Sequence, residues 1–196
     1  MEFTQKQNIQ FVVSLLLLTV VSQVIYTALY RFAGDFPRQW LWGLEGVFFV
    51  LLTAVAGSAL VQAKRFTLGF SAIFASALFN LVQVGIGLAQ FSAFREAAQA
   101  VEGLGPAAGG VVALSFFIYN AAKLLLGMAA VVFGSAISKS GPKALGYITI
   151  LAGTVAIVSN AIVMMFGRIQ AIPSGATGVV ATLLLALCLY KLQSKD

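Results

Sequence analysis

Apolar residues run almost unbroken along this chain, and short polar or glycine- and proline-containing stretches divide them into segments. A helix crosses the hydrocarbon core of a bilayer with about 20 mainly apolar residues. Five runs reach that length: Ile9–Tyr30, Leu41–Val61, Phe66–Phe91, Val111–Ile137 and Leu145–Phe166. A sixth, Ala176–Tyr190, is short and reads as a span that starts earlier, tilts or is partly buried. The connections carry turn chemistry: Gly34, Asp35 and Pro37 after the first run, Ser138 to Lys143 after the fourth, Pro173 and Gly175 before the sixth. Between the third and fourth runs, Phe94, Ala97, Val101 and Leu104 fall at helical spacing, with Arg95, Glu96, Gln99 and Glu102 off that face. This stretch predicts a separate short amphipathic helix, lying on the membrane surface or packed on the bundle. Gly103, Gly105, Pro106, Gly109 and Gly110 predict a break before the fourth helix. The polar start with Lys6 resembles a signal-peptide n-region, but the run behind it is too long and no A-x-A-like cleavage site follows, so it reads as the first membrane helix. The fold expected is an all-α polytopic membrane protein of six transmembrane helices, a single domain over residues 1–196.

Composition agrees with the runs. Sixty per cent of the residues are hydrophobic and 9% charged, and no polar stretch is long enough to fold separately. The net charge of +6 is spent at helix ends, so it points to orientation and not to nucleic acid. With six spans, Lys6, Lys64, Arg65, Lys139, Lys143, Lys191 and Lys195 share one side with both termini. Arg31, Arg38, Arg95 and Arg168 are on the other. That bias predicts a plasma or inner cell membrane protein with cytoplasmic termini. Trp40 and Trp42 mark the opposite headgroup level. The chain has no histidine and one cysteine, Cys188, inside the last run, where packing is its expected role. Of six carboxylates, Glu2, Asp35, Glu45, Glu96, Glu102 and Asp196, only Glu45 lies within an apolar run. Imidazole chemistry, most zinc sites and paired-carboxylate catalysis are thereby excluded, and neither an enzyme nor a cofactor is expected. Met164 and Met165 carry soft sulfur ligands, but adjacent residues point about 100° apart on a helix, which makes a copper pair a weak reading.

Two hairpins share a pattern. Gly57-Ser-Ala-Leu60 returns as Gly134-Ser-Ala-Ile137, and at the same shift Leu68-Gly69-Phe70 returns as Leu145-Gly146-Tyr147. This predicts a parallel internal repeat pairing helices 2–3 with helices 4–5, in which Gln83 corresponds to Asn160.

Lys123 sits deep in the fourth run, beside Tyr119 and Asn120. A lysine in hydrocarbon costs about 2.5 kcal/mol or more, so it must face something polar. Counting helix rise from the non-cytoplasmic ends, Lys123 lies roughly 18 Å in and Asn120 roughly 14 Å, with Asn80 and Gln83 at roughly 12 to 17 Å. Asn160, Gln23, Tyr26 and Glu45 lie about 6 to 11 Å in. Asn120 with Lys123 and Asn80 with Gln83 each share a helix face, and the two faces are expected to meet. Glu45 reads either as an interfacial, water-exposed carboxylate or as the partner to which Lys123 reaches outward. Asn80, Gln83 and Asn160 also read, and more readily, as interhelical glue. The expected site is therefore an outward-facing polar pocket of Lys123, Asn120, Asn80, Gln83, Asn160, Glu45 and Tyr119. The function expected is a small channel or carrier for a small neutral or anionic solute. The alternative is a non-transporting membrane module: a complex subunit, an assembly partner, or a lipid- or quinone-binding protein. Membrane lipids and the solute are the expected partners, and a second copy or another membrane protein is the further candidate.

Overall fold

The computed structural model describes residues 3–34, 37–167, 169, 171 and 173–193. Glu2, Asp35, Arg168, Lys195 and Asp196, which enter the charge reading above, lie outside them. The described residues form α1 (Gln5–Phe32), α2 (Gln39–Gln62), α3 (Thr67–Ala100), α4 (Gly105–Ser140), α5 (Lys143–Phe166) and α6 (Ser174–Gln193). All six are long and apolar enough to cross a membrane, the architecture of an all-α multi-pass membrane protein. Thr4 opens α1 with a capping box: its hydroxyl accepts from the Gln7 N–H, and the Gln7 side chain accepts from the Thr4 N–H at 2.9 Å.

One expected element is absent as such. The stretch from Phe94 is not a separate helix; α3 continues through Ala100. Alanine, arginine, glutamate and glutamine extend a helix readily, and no glycine or proline interrupts them until Gly103. The chain then leaves the helix at Val101 and turns at Gly103, which has φ +94°. Nor do the following glycines break the chain. Gly105 begins α4, and Pro106 fits the first helical turn, where its missing N–H costs nothing. By helix rise, α3 and α4 are about 51 and 54 Å long. A hydrocarbon core is about 30 Å thick, so this hairpin extends well past it.

Sequential helices pack against one another, and α6 also packs on α1 and α4. Helices α1, α2, α3, α4 and α6 thus close a ring, and α5 lies outside it against α4 and α6. We call the end where α1 begins and α6 finishes basal, and the end of the α1–α2, α3–α4 and α5–α6 connections apical. Buried apolar side chains, including Val12, Leu16, Leu52, Ile73, Phe133 and Leu185, fill the ring toward the basal end. Large apolar side chains such as Val21, Val47, Leu151 and Val158 point outward, as lipid contact requires. The α4–α5 seam is closed backbone to backbone. A Cβ on Gly127 would stand 2.8 Å from the Gly153 carbonyl oxygen, and one on Gly146 would stand 2.8 Å from that of Gly134. Small residues allow this approach where no hydrophobic force draws helices together.

Candidate functional site: a polar layer across the ring

Lys123 is only 2% exposed. Helical side chains lean toward the helix N-terminus, which for α4 is the apical end. The ammonium accordingly lies over the ring of Tyr119, one turn earlier, at 5.1 Å from its centroid. Nζ donates to Gln23 Oε1 on α1 at 2.8 Å. Because α1 and α4 are not neighbours in the ring, this bond crosses its interior. Gly178 on α6 makes room for the lysine stem: a Cβ there would stand 2.7 Å from Lys123 Cδ. Gly175, nearly one turn apical, leaves space for the Tyr119 hydroxyl, with a Cβ position 3.3 Å away.

Glu45 is buried, at 6% exposure, which corrects the reading of it as a water-exposed interfacial carboxylate. It shares the inward face of α2 with Leu41, Phe49, Leu52 and Ala56, at spacings of three and four. Its carboxylate accepts from the Ser22 hydroxyl on α1 at 2.7 Å. Glu45 and Lys123 attract each other through the interior without a direct hydrogen bond. Adjacent residues of α1, Ser22 and Gln23, therefore hold one charge each.

The expected meeting of two amide faces takes another form. The Asn80 side chain donates to the Ser76 carbonyl at 3.0 Å and Asn120 to the Phe116 carbonyl at 2.6 Å, each within its own helix. A short asparagine reaches back to the preceding turn more easily than across to a neighbour. Gln83 donates to the Ser115 hydroxyl at 3.3 Å, and the Ser76 hydroxyl to the Ala122 carbonyl at 2.9 Å; both bonds join α3 to α4. Asn160 sits on α5, outside the ring, and donates to the Ala156 carbonyl and, at 3.4 Å, to that of Ser174. The lysine's acceptor is thus none of the four predicted amides but Gln23. Ser22, Gln23 and Gly178 were missed as site residues. Gln23 offered one signal, an amide in the outer half of the first apolar run. The Oδ1 atoms of Asn80, Asn120 and Asn160 are buried without a partner.

One turn apical of this layer lies an aromatic one. Trp42 stacks on Tyr26, with centroids 5.5 Å apart and planes 16° from parallel, and meets Phe91 edge-on at 5.8 Å. The Arg38 guanidinium lies over Tyr30 at 5.1 Å and Tyr26 at 5.9 Å. A cleft of about 220 Å³ opens here, lined by Tyr26, Arg38, Trp42, Phe91 and Arg95 among others. A second, of about 440 Å³, separates the apical ends of α3 and α4 between Phe94 and Val112. Lys123 lines neither.

Searches of protein families, curated proteins and solved structures find no match to this chain. The site is therefore read from its own chemistry. Among the described residues no group of three or more His, Cys, Asp or Glu side chains is placed to hold a metal ion. An ammonium has three N–H donors, and Gln23 takes one. Lys123 can donate further to an acceptor on a small molecule, while Glu45 can accept. Cys188 is fully buried, with its sulfur 3.2 Å from the Thr149 hydroxyl.

Proposed function

We propose that this protein is a small membrane channel or carrier for a neutral or anionic solute, with Lys123 as its central binding group. The observation that carries the reading is a buried ammonium, bonded across the ring to a non-neighbouring helix, with donors to spare. A charge at mid-membrane is expensive, and a purely structural bundle is built more cheaply without one. Buried acceptors on Asn80 and Asn120, unbonded within the protein, add capacity for a polar guest. The apolar filling of the basal half favours a carrier that alternates between states over a permanently open channel. The apical end faces outward in this reading, the termini are cytoplasmic, and the membrane is the plasma or inner cell membrane. We further propose that α2–α3 and α4–α5 arose by duplication. Their seams have since diverged, since Gly57 meets the Phe74 ring whereas Gly134 meets the backbone of α5.

The same apolar basal half also favours a second reading, a non-transporting module in which Lys123 organises the bundle for a protein, lipid or quinone partner. Proteoliposome flux separates the two. Purified protein is reconstituted and tested with labelled urea, glycerol, acetate, lactate and benzoate, alongside Lys123→Met. The carrier reading expects uptake above protein-free vesicles for at least one solute, lost in a folded Lys123→Met variant. Uptake that survives this substitution, or no uptake of any solute, overturns it.

A further inference from the structure

We infer that the apical cleft above the Lys123–Glu45 layer is a recognition site for a small aromatic carboxylate. This deepens the transport reading, on which it rests for its purpose, by naming the class of solute.

Three features converge. The first is charge. Arg38 and Arg95 both line the cleft, and no carboxylate among the described residues lines it with them. A guanidinium presents a planar fork that matches a carboxylate, and two of them lining one cleft favour an anion. Arg38 is held in place, since its Nη1 donates to the Gly34 carbonyl at 3.0 Å and its guanidinium carbon lies over the Tyr30 and Tyr26 rings. The second is the aromatic surface. Tyr26, Trp42 and Phe91 all line the cleft, and Trp42 meets both of the other rings. Gly87 allows the indole to lie against α3, where a Cβ would stand 2.8 Å from Trp42 Cζ3. Flat, rigid apolar walls of this kind favour a planar body over a flexible chain. The third is size. At about 220 Å³ the cleft falls below the range of about 300 Å³ and up that holds drug-sized ligands, which leaves room for a single ring.

The position adds a reason for such a site. Trp42 lies three residues apical of Glu45 on α2, and Tyr26 three residues apical of Gln23 on α1. A solute bound in the cleft is one helical turn from the polar layer, with Trp42 and Tyr26 between. Arginines at the mouth and an ammonium below give an anion two successive cationic positions.

Binding is read at the cleft itself. The chain has two tryptophans, and Trp40 lies outside the cleft lining, so a Trp40→Phe background makes Trp42 the sole reporter. This protein is placed in nanodiscs of phosphatidylcholine and titrated with benzoate, benzamide, benzylamine and acetate. The expected result is a saturable change in Trp42 emission with benzoate. Benzamide, benzylamine and acetate should bind at least tenfold more weakly, and Arg38→Gln and Arg95→Gln should each weaken benzoate at least tenfold. Arg95 is exposed, so its variant is the safer of the two for folding. Equal affinity for benzamide or benzylamine overturns the inference, as does an unaltered benzoate titration in folded Arg95→Gln. So does a benzoate response abolished by phosphatidylglycerol in the discs, which assigns the arginines to a lipid headgroup. Benzoate binding without Lys123-dependent flux sinks the transport reading alone. Lys123-dependent flux without benzoate binding sinks this inference alone.

Discussion

The bond between Lys123 and Gln23 can be weighed directly by a double-mutant cycle of Lys123→Met and Gln23→Leu, measured as unfolding free energy in bicelles. At 2.8 Å the contact is a charge-assisted hydrogen bond. Bonds to charged groups contribute about 1.5 to 3 kcal/mol in soluble proteins, whereas polar pairs between membrane helices average about 0.6 and reach about 1.7 kcal/mol. This pair is charged, and α1 and α4 share no close backbone contact that would absorb its loss. We therefore expect a coupling near the upper membrane value, about 1.5 kcal/mol. Lys123→Met alone should cost more than the coupling, because it also leaves the buried Glu45 charge without its counter-charge. Glu45→Gln in the Lys123→Met background should then restore part of the loss. Additivity within about 0.3 kcal/mol, the scatter of independent sites, would mean that the cross-ring bond is not made. A further loss on adding Glu45→Gln would mean that the two charges do not offset each other.

Three other substitutions probe the frame around this layer. Gly178→Val drives a side chain into the lysine stem; it should abolish the Lys123–Gln23 coupling in the same cycle, and a coupling left intact would place the stem elsewhere. Gly153→Ala puts a Cβ 2.7 Å from the Gly127 carbonyl oxygen, so α5 must shift from α4; overpacking of this kind costs about 2 kcal/mol, and an unfolding midpoint equal to wild type would refute the close seam. Asn8 donates to Ser58 at 2.8 Å and Gln62 at 3.0 Å, tying the start of α1 to the end of α2. Asn8→Ala should cost about 2 kcal/mol at about 1 per bond, with faster hydrogen exchange in the last turn of α2, and unchanged exchange there would argue against the tie.

How much of this was legible in the chain differs from residue to residue. The six spans were readable because a membrane helix is specified locally: a long apolar run must satisfy its own backbone, and a helix does so within the segment. Lys123 stood out for the same reason, since a charge inside such a run is costly wherever its neighbours are. The extension of α3 was misread because amphipathic spacing after an apolar run describes a helix but not whether it is joined to the one before it. Gln23 as the lysine's partner, 100 residues away, was decided only by the ring, which places α1 opposite α4. The same holds for Glu45, whose depth suggested an interface and whose inward rotation on α2 buried it. Helices that are apolar on nearly every side hold little trace in their sequence of which side turns inward. Hydropathy along one chain thus determined what crosses the membrane, and packing between helices determined which polar groups meet inside it.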